Sequence, residues 1–189
     1  MKQQLRIAIT GTSRSGKDTF AQAIQKKLVE MGFAEAMPIA FADPLKQLYK
    51  RYFFYMEDKE KPRDAYVTIG NAMREVDENV WINNLLIQAA KDWDEGFSTL
   101  VTDVRFENEA KTLINDYGFI LVKVDADPLI RLGRAEALGE TLDLNNKGDI
   151  EVGMIEPHLT FLNNGESDLM QMDKYAEIII NMAQEVANG

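Results

Sequence analysis

A glycine-rich segment near the start of the chain has the residues and spacing of a phosphate-binding loop. Gly11-Thr-Ser-Arg-Ser-Gly16-Lys17 fits the pattern GxxxxGK. Glycines let such a loop curl until its backbone N–H groups point at one anion, and the following helix adds its positive end. The Lys17 ammonium then supplies charge to the β- and γ-phosphates of a bound ATP. The donor-binding residues predicted in the loop are Gly11, Ser13, Arg14, Ser15, Gly16 and Lys17.

The residues after the lysine depart from the usual signature. A Ser or Thr directly after the lysine normally holds Mg²⁺, whereas this chain has Asp18 there and Thr19 next. Either residue can supply an oxygen ligand, so Asp18 and Thr19 remain alternatives for Mg²⁺. The segment as a whole has a plainer alternative, a Gly- and Ser-rich turn with an incidental lysine. The apolar strand before it and the amphipathic helix after it favour the phosphate loop.

Strand and helix patterns predict an α/β fold that positions this loop. Short apolar runs predict five strands, at residues 5–10, 37–41, 98–102, 119–124 and 177–181. Helical periodicity or helix-start residues predict helices after Lys17, from Asp43, at 66–91 with a break near 77–79, at 107–117 and from Asp127. The segment 141–164 has weak periodicity and is expected to be loop-rich, and a short helix is expected at the end. Strands that alternate with helices imply a parallel sheet covered on both faces.

Polar residues lie at the carboxyl ends of the first four predicted strands. Thr10-Gly11, Asp43, Asp103 and Asp125 all follow predicted strands. Ligands of open parallel sheets bind at the carboxyl ends of the strands, so these residues are expected to lie around one site. Asp103 is interpreted as a group that orients Mg²⁺ through water or accepts a proton, and Arg105 as a clamp on a phosphate. The alternative is a helix-capping Asp beside an ion-paired Arg.

Two further sets of charged residues each have a functional and a structural interpretation. Asp43 is either a substrate-binding residue or a simple N-cap, and Lys46 either meets an acceptor phosphate or is solvated. Arg74 either clamps the acceptor phosphate or pairs with Glu78 four residues later.

A pair of arginines follows the fourth predicted strand. Arg131 and Arg134 lie one turn apart, where they would close over a transferring phosphate and exclude water. The alternative is a solvated helix face balanced by Glu136 and Glu140.

Composition narrows the classes of function. The 189 residues carry a net charge of −10 and no cysteine, which disfavours general nucleic-acid binding and excludes thiol chemistry. No apolar run is long enough for a membrane helix, so a cytoplasmic protein without membrane partners is expected. The single histidine, His158, is expected to be structural or exposed, and the two tryptophans to pack in the core or an interface. Whether two copies form a homodimer is left open.

Four segments together resemble the deoxynucleoside monophosphate kinases of tailed bacteriophages. They are Arg14-Ser-Gly-Lys-Asp-Thr19, Phe41-Ala-Asp-Pro-Leu-Lys46, Gly70 with Arg74 and then Trp81, and Thr102-Asp-Val-Arg-Phe-Glu-Asn-Glu-Ala110. The resemblance covers about residues 5–125, and the final Ile-Ile-Ile-Asn181 resembles that family's last strand. The segment 141–164 matches least.

The resemblance implies ATP- and Mg²⁺-dependent transfer of a γ-phosphate to a deoxynucleoside 5′-monophosphate. It implies the P-loop nucleoside monophosphate kinase fold, a three-layer sandwich in one domain spanning 1–189, with an acceptor-binding region at about 43–92 and a lid at about 127–165. In that family pattern, Arg74 and Arg105 grip the acceptor phosphate and Asp103 lies beside the transferring group. Arg131 and Arg134 fall in the lid, and Glu109 positions Arg105 from four residues away.

Two other hypotheses stay open. A similar Ser-Gly-Lys-Asp loop occurs in an animal-type phosphomevalonate kinase, so the chain is alternatively a kinase of another phosphorylated small molecule. The third hypothesis is a nucleotide-binding regulatory protein, although the sequence lacks the guanine-binding motif Asn-Lys-x-Asp.

Overall fold

The structure, a computed structural model, describes residues 2–56 and 62–189, without the side chains of 166–170. The strands are β1 Arg6–Thr10, β2 Ala36–Ile39, β3 Ser98–Val104, β4 Ile120–Asp125 and β5 Leu159–Leu162. The helices are α1 Lys17–Glu30, α2 Ala42–Tyr52, α3 Arg63–Val76, α4 Val80–Asp94, α5 Glu107–Lys111, α6 Pro128–Glu136, α7 Lys147–Gly153 and α8 Glu166–Asn188. A π-helical turn, Thr112–Asp116, continues α5.

Within the described residues, the five strands form one parallel sheet in the order β2-β3-β1-β4-β5. The central strand β1 is buried from Ile7 to Thr10, as expected for a strand with helices on both faces. The α/β fold and the parallel sheet predicted from the sequence are therefore confirmed, and four strands lie within two residues of their predicted bounds.

Alternate residues of β1 point into two hydrophobic cores. Ile7 and Ile9 belong to a core between the sheet and the helices α1 and α8, which pack on each other. Ala8 belongs to the other core, which includes Trp81 and Leu85 of α4. Three layers follow from this alternation, with β1 and its loop in the middle of the molecule.

The predicted fifth strand at 177–181 is wrong. These residues lie in α8, where the buried positions Met172, Ala176, Ile179, Ile180 and Ala183 recur at helical spacing. The fifth strand is instead Leu159–Leu162, with Phe161 stacked on Phe20 at 5.0 Å between ring centroids. The segment 141–164 is accordingly not a plain loop, since it contains α7 and β5, and the terminal helix is longer than expected.

The two outermost strands are the shortest in the sheet. β2 and β5 each have four residues, and β2 contains Pro38, which has no N–H to offer a further strand.

Helix boundaries agree with the sequence in most places and differ at α2. The break predicted near 77–79 separates α3 from α4, and Asp127 caps α6 by accepting the Leu129 N–H at 2.8 Å, with Pro128 in the first turn. The predicted N-cap Asp43 lies inside α2. Seven of the eight residues at 57–64 are charged, which predicts an exposed connection; residues 57–61 lie outside the described part of the chain, and α3 begins at Arg63.

Asp103 takes the capping role at the start of α2. It accepts the backbone N–H groups of Phe41 at 2.7 Å and of Ala42 at 3.1 Å. The first N–H groups of a helix have no partner within the helix, so a carboxylate from β3 satisfies them here. Helix α2 is thus tied directly to the end of β3.

Candidate functional site

The segment between β1 and α1 has the curled backbone expected of a phosphate loop. Gly11 has φ 149°, Arg14 has φ 63° and Gly16 has φ 96°, all in the region that favours glycine. A Cβ at Gly11 would lie 2.1 Å from the Val124 carbonyl oxygen, so only glycine lets the loop cross β4 this closely. The two glycines of the sequence pattern are therefore both required by geometry.

The Lys17 ammonium is folded over this loop. Its Nζ donates to the carbonyl oxygens of Gly11 and Thr12, both at 2.8 Å. Burial lowers the pKa of Lys17 to about 8, and the nearby Arg105 charge adds to the shift. Asp18, Asp149 and Asp103 oppose it. The lysine is thus held at the centre of the loop, with three carboxylates within electrostatic reach.

A hydroxyl inside the loop is buried without a partner. Within residues 2–56 and 62–189, the Ser15 Oγ makes no hydrogen bond. A buried polar atom without a partner costs free energy, and such atoms gather at ligand sites. A bound phosphate oxygen would give it an acceptor, so the loop fits the β- and γ-phosphates of a nucleoside triphosphate.

Arg131 reaches the loop from α6 and is held there by α7. Its Nε donates to the Ser13 carbonyl oxygen at 2.7 Å, and its Nη2 forms an ion pair with Asp149. The other Asp149 oxygen accepts the Ser13 N–H at 3.0 Å. Arg131 is 5% exposed and Asp149 is 8% exposed, so the solvated alternative for Arg131 is wrong. Sequence reasoning missed Asp149, since no motif marks it.

Arg134 also faces the loop. Its Nη1 donates to the carbonyl oxygens of Arg14 at 3.2 Å and Ser15 at 3.3 Å, and its Nη2 donates to the Asn163 carbonyl oxygen at 2.9 Å. Asn163, which follows β5, donates its side-chain amide to the same Ser15 oxygen at 2.8 Å. Sequence reasoning missed Asn163, because its segment was assigned to loop. Arg131 and Arg134 thus both contact the phosphate loop.

The Arg14 side chain points to a different partner. It forms an ion pair with Glu140, which also lies 3.4 Å from the Arg63 guanidinium at the start of α3. Glu140 was expected to balance Arg131 and Arg134 and instead links the phosphate loop to the start of α3.

A cavity of about 620 Å³ opens beside the loop. Its floor includes Gly16 and Thr19 of the loop and α1, and one wall is the α6 face from Leu129 to Ala137. The opposite wall is formed by Asn163, Asn164, Gly165 and Met172. An apolar cavity with a few polar groups, adjoining a phosphate loop, has the form of a site for a flat organic group joined to a polyphosphate.

The two alternative metal ligands both lie in the first turn of α1. Asp18 and Thr19 are exposed, next to the loop and beside the cavity. Mg²⁺ usually keeps several waters and takes one or two protein oxygens plus phosphate oxygens, and either residue fits that requirement. Among the described residues, no group of three or more His, Cys, Asp or Glu is arranged to hold a metal alone.

Arg74 and Arg105, the two arginines predicted to bind an acceptor phosphate, have their contacts in the segments that follow β3. Arg74 lies over the Phe106 ring, with 4.1 Å from its guanidinium carbon to the centroid, and its Nη2 is 3.6 Å from Glu109. The predicted pair with Glu78 is therefore replaced by Glu109. Arg105 is exposed and approaches α7, since a Cβ at Gly148 would lie 2.9 Å from its Nη1. The Arg105 guanidinium thus lies next to α7.

Glu109 fixes the turn between β3 and α5 by binding backbone N–H groups. Its Oε2 accepts the N–H groups of Arg105 at 2.9 Å and Phe106 at 3.1 Å, so it fixes the turn rather than the Arg105 side chain. Burial raises the pKa of Glu109 to about 7, and this outweighs the lowering by the two N–H groups and by Arg74. Asp103 is similar in direction, since burial raises its pKa against the N–H groups of Ala42 and Phe41. Both carboxyls support the backbone of the site.

The remaining predicted residues have local partners. Lys46 pairs with Asp43 at 3.0 Å, and the other Asp43 oxygen accepts the Ala40 N–H at 3.1 Å. His158 has a structural role, since its Nδ1 accepts the Leu121 N–H at 3.0 Å. Asp125 closes β4 and accepts the Thr12 hydroxyl at 3.4 Å. The carboxyl ends of β1, β3 and β4 therefore surround one site, as the sequence predicted.

Comparison with known proteins assigns this geometry to a family. The family described as an AAA domain, AAA_18, matches residues 7–152, which include the phosphate loop, the end of β3 and both lid arginines. The chain belongs to this AAA domain family. A search of curated protein sequences gives no match for this AAA-domain protein.

Solved structures show that the AAA-domain protein has the fold of P-loop kinases. An unliganded sugar kinase from Janibacter sp. HTCC2649 aligns with TM-score 0.54 and 12% identity, over 97% of this chain and 98% of its own. The APS kinase of Mycobacterium tuberculosis, solved with AMPPNP and APS, aligns with TM-score 0.51 and 16% identity, over 96% and 99%. A shikimate kinase from Bacteroides thetaiotaomicron gives TM-score 0.51 and 14% identity, over 94% and 98%. At these identities the likeness is one of fold.

Among the described residues of the AAA-domain protein, no helix has the length and apolar character needed to cross a membrane.

Proposed function

We propose that the protein is an ATP- and Mg²⁺-dependent kinase that transfers the γ-phosphate to a deoxynucleoside 5′-monophosphate in the cytoplasm. The observation that carries this proposal is the distribution of cations on two sides of the loop. Arg131 and Arg134 contact the loop backbone from the lid side, and Arg105 and Arg74 lie on the β3 side. Cations on two sides of the loop suit a donor and an acceptor that are both anionic.

The donor triphosphate is assigned to the loop and the cavity. The loop N–H groups, the Ser15 hydroxyl and the Lys17 ammonium would bind its phosphates. The cavity between α6 and residues 163–165 would receive the adenine. Mg²⁺ held by the phosphates with Asp18 or Thr19 supplies positive charge to the leaving phosphate oxygens when it is bound.

The reaction needs alignment and charge rather than a strong base. An acceptor phosphate oxygen forms a bond to the γ-phosphorus, and the bond from that phosphorus to the β,γ-bridging oxygen breaks. The electron pair leaves with ADP. The acceptor oxygen already carries a negative charge, so no proton has to be removed. This agrees with Asp103, whose two oxygens are engaged by the N–H groups of α2.

Acceptor-dependent turnover tests the proposal. ADP formation would be measured with ATP and each of the four natural deoxynucleoside monophosphates, with product identity checked by ion-exchange chromatography. We expect at least one of them to raise ADP formation well above that with ATP alone and to appear as the diphosphate. Turnover of another phosphorylated small molecule, with none of the four converted, would reject the acceptor. Slow ATP hydrolysis at one rate whatever the acceptor would favour the regulatory hypothesis.

A further inference from the structure

The carboxylate of Asp149 lies among the groups that are expected to bind the transferable phosphate. One oxygen accepts the Ser13 N–H of the phosphate loop at 3.0 Å, and the other is ion-paired with Arg131. Its charge also acts on the Lys17 ammonium. Asp149 is therefore bound by a loop amide and the Arg131 guanidinium, and it lies within electrostatic reach of Lys17. A phosphoryl group would seek the same two donors.

These contacts cross a large distance in sequence and close the lid on the loop. Asp149 is 136 residues from Ser13 and 18 residues from Arg131. It belongs to α7, which Asn146 caps by accepting the Asp149 N–H at 3.0 Å. The position of a short helix is thus fixed by an anion that sits on the donor site.

From this arrangement we infer that Asp149 takes the place of the donor γ-phosphate in the nucleotide-free protein and is displaced by it. Binding of ATP moves Arg131 and the Ser13 N–H from the carboxylate to the γ-phosphate, and α7 is released from the loop. Asp149 is then a positioning residue, which keeps Arg131 at the loop before the donor arrives. This inference rests on the proposed donor site.

The Asp149 carboxylate and the γ-phosphate compete for the same donors. Removing the charge of Asp149 should therefore tighten the binding of ATP more than that of ADP. Asp149→Asn keeps the shape and one acceptor oxygen, but it leaves Arg131 buried without a counter-charge. We expect ATP to bind about fivefold or more tightly to this variant than to the wild type, on the order of 1 kcal/mol. The affinity for ADP should change far less, because ADP has no γ-phosphate to replace the carboxylate.

Calorimetric titration with ATP, ADP and AMP measures this selectivity. Glu151→Gln is the matched control, since it removes one negative charge from the same helix, and among the described residues Glu151 forms its ion pair with Lys147 at 3.8 Å, away from the Ser13 and Arg131 contacts of Asp149. A general charge effect would tighten ATP and ADP together in both variants, and this outcome overturns the inference. Unchanged or weaker ATP binding by Asp149→Asn overturns it as well. If wild-type protein binds no ATP, the proposed function itself fails.

A measurement on the wild type applies if the variant does not fold. Hydrogen exchange over residues 147–153 should become faster when ATP is added and should remain unchanged with ADP. Exchange that is unaltered or slower with ATP would mean that α7 stays on the loop, against the displacement of Asp149.

Discussion

The Asn163 side chain lies directly over Gly16, where a Cβ at the glycine would come within 2.2 Å of Nδ2. Asn163 is 3% exposed and bound to the Ser15 carbonyl oxygen, so it has little room to move. The segment after β5 therefore restricts position 16 of the phosphate loop to glycine, and it connects the last strand of the sheet to that loop.

Gly16→Ala should weaken ATP binding by at least about tenfold, because both the clash and the positive φ oppose the loop conformation. Calorimetric titration measures the affinity. Gly32→Ala is the matched control, since Gly32 has φ 86° with no atom within 4 Å of its Cβ position. That variant should lose on the order of 1 kcal/mol of stability and keep its ATP affinity. Equal ATP binding by Gly16→Ala and wild type would contradict the assignment of this loop to the donor.

ATP affinity should fall as the pH rises through the pKa of Lys17. Burial lowers that pKa to about 8, so the ammonium is present below pH 8 and is lost above it. Between pH 7.5 and pH 9 the charged fraction falls about eightfold, and the dissociation constant should rise by up to that factor. Lys17→Arg keeps its charge over this range, and any residual binding by this variant should be independent of pH. A wild-type affinity that is flat up to pH 9 would contradict this role of the lysine.

Arg74→Met should raise the KM for the acceptor by about tenfold or more and leave ATP binding unchanged. The guanidinium lies over Phe106 on the β3 side, away from the donor cavity, and its loss removes a charge-assisted contact to the acceptor phosphate. Steady-state kinetics measures the change, with the deoxynucleoside monophosphate that gives the highest turnover as the acceptor. Arg51→Met is the control, because Arg51 is an exposed arginine whose guanidinium also lies over an aromatic ring, 5.8 Å from the centroid of Tyr52. If both variants raise the KM equally, Arg74 has no specific acceptor role.

Glu109 should make the protein less stable as the pH rises from about 4.5 to about 7. Burial raises the folded-state pKa of Glu109 from 4.5 to about 7, so the folded state binds more protons than the unfolded state in that window. The free energy of unfolding should therefore fall across it, by no more than about 3 kcal/mol. Urea unfolding at pH 4.5 and pH 7.5 measures the change, and Glu109→Gln should show a smaller fall than wild type. An equal fall in both proteins would assign the pH dependence to other groups.

Local patterns predicted those parts of the molecule whose structure depends on near neighbours. The phosphate loop follows from Gly11, Gly16 and Lys17, and the break between α3 and α4 follows from the polar residues at 77–79. The convergence of strand ends also needed only the alternation of strands and helices.

The parts that the sequence did not predict depend on distant contacts. Asp149 and Asn163 bind the loop across 136 and 148 residues, and neither belongs to a motif. The β-branched run at 178–180 favoured a strand, and only burial on one face of a helix assigns it to α8. Asp43 was interpreted as a cap from its neighbours, whereas the carboxylate that caps α2 comes from β3.

The short edge strands β2 and β5 make it difficult for two copies of the chain to join through their sheets. Each rim offers a four-residue strand, and the β2 rim is interrupted by Pro38, so continuous strand pairing between copies has few free backbone groups to use. A homodimer of this chain would therefore be held by helix surfaces rather than by a sheet shared between the copies.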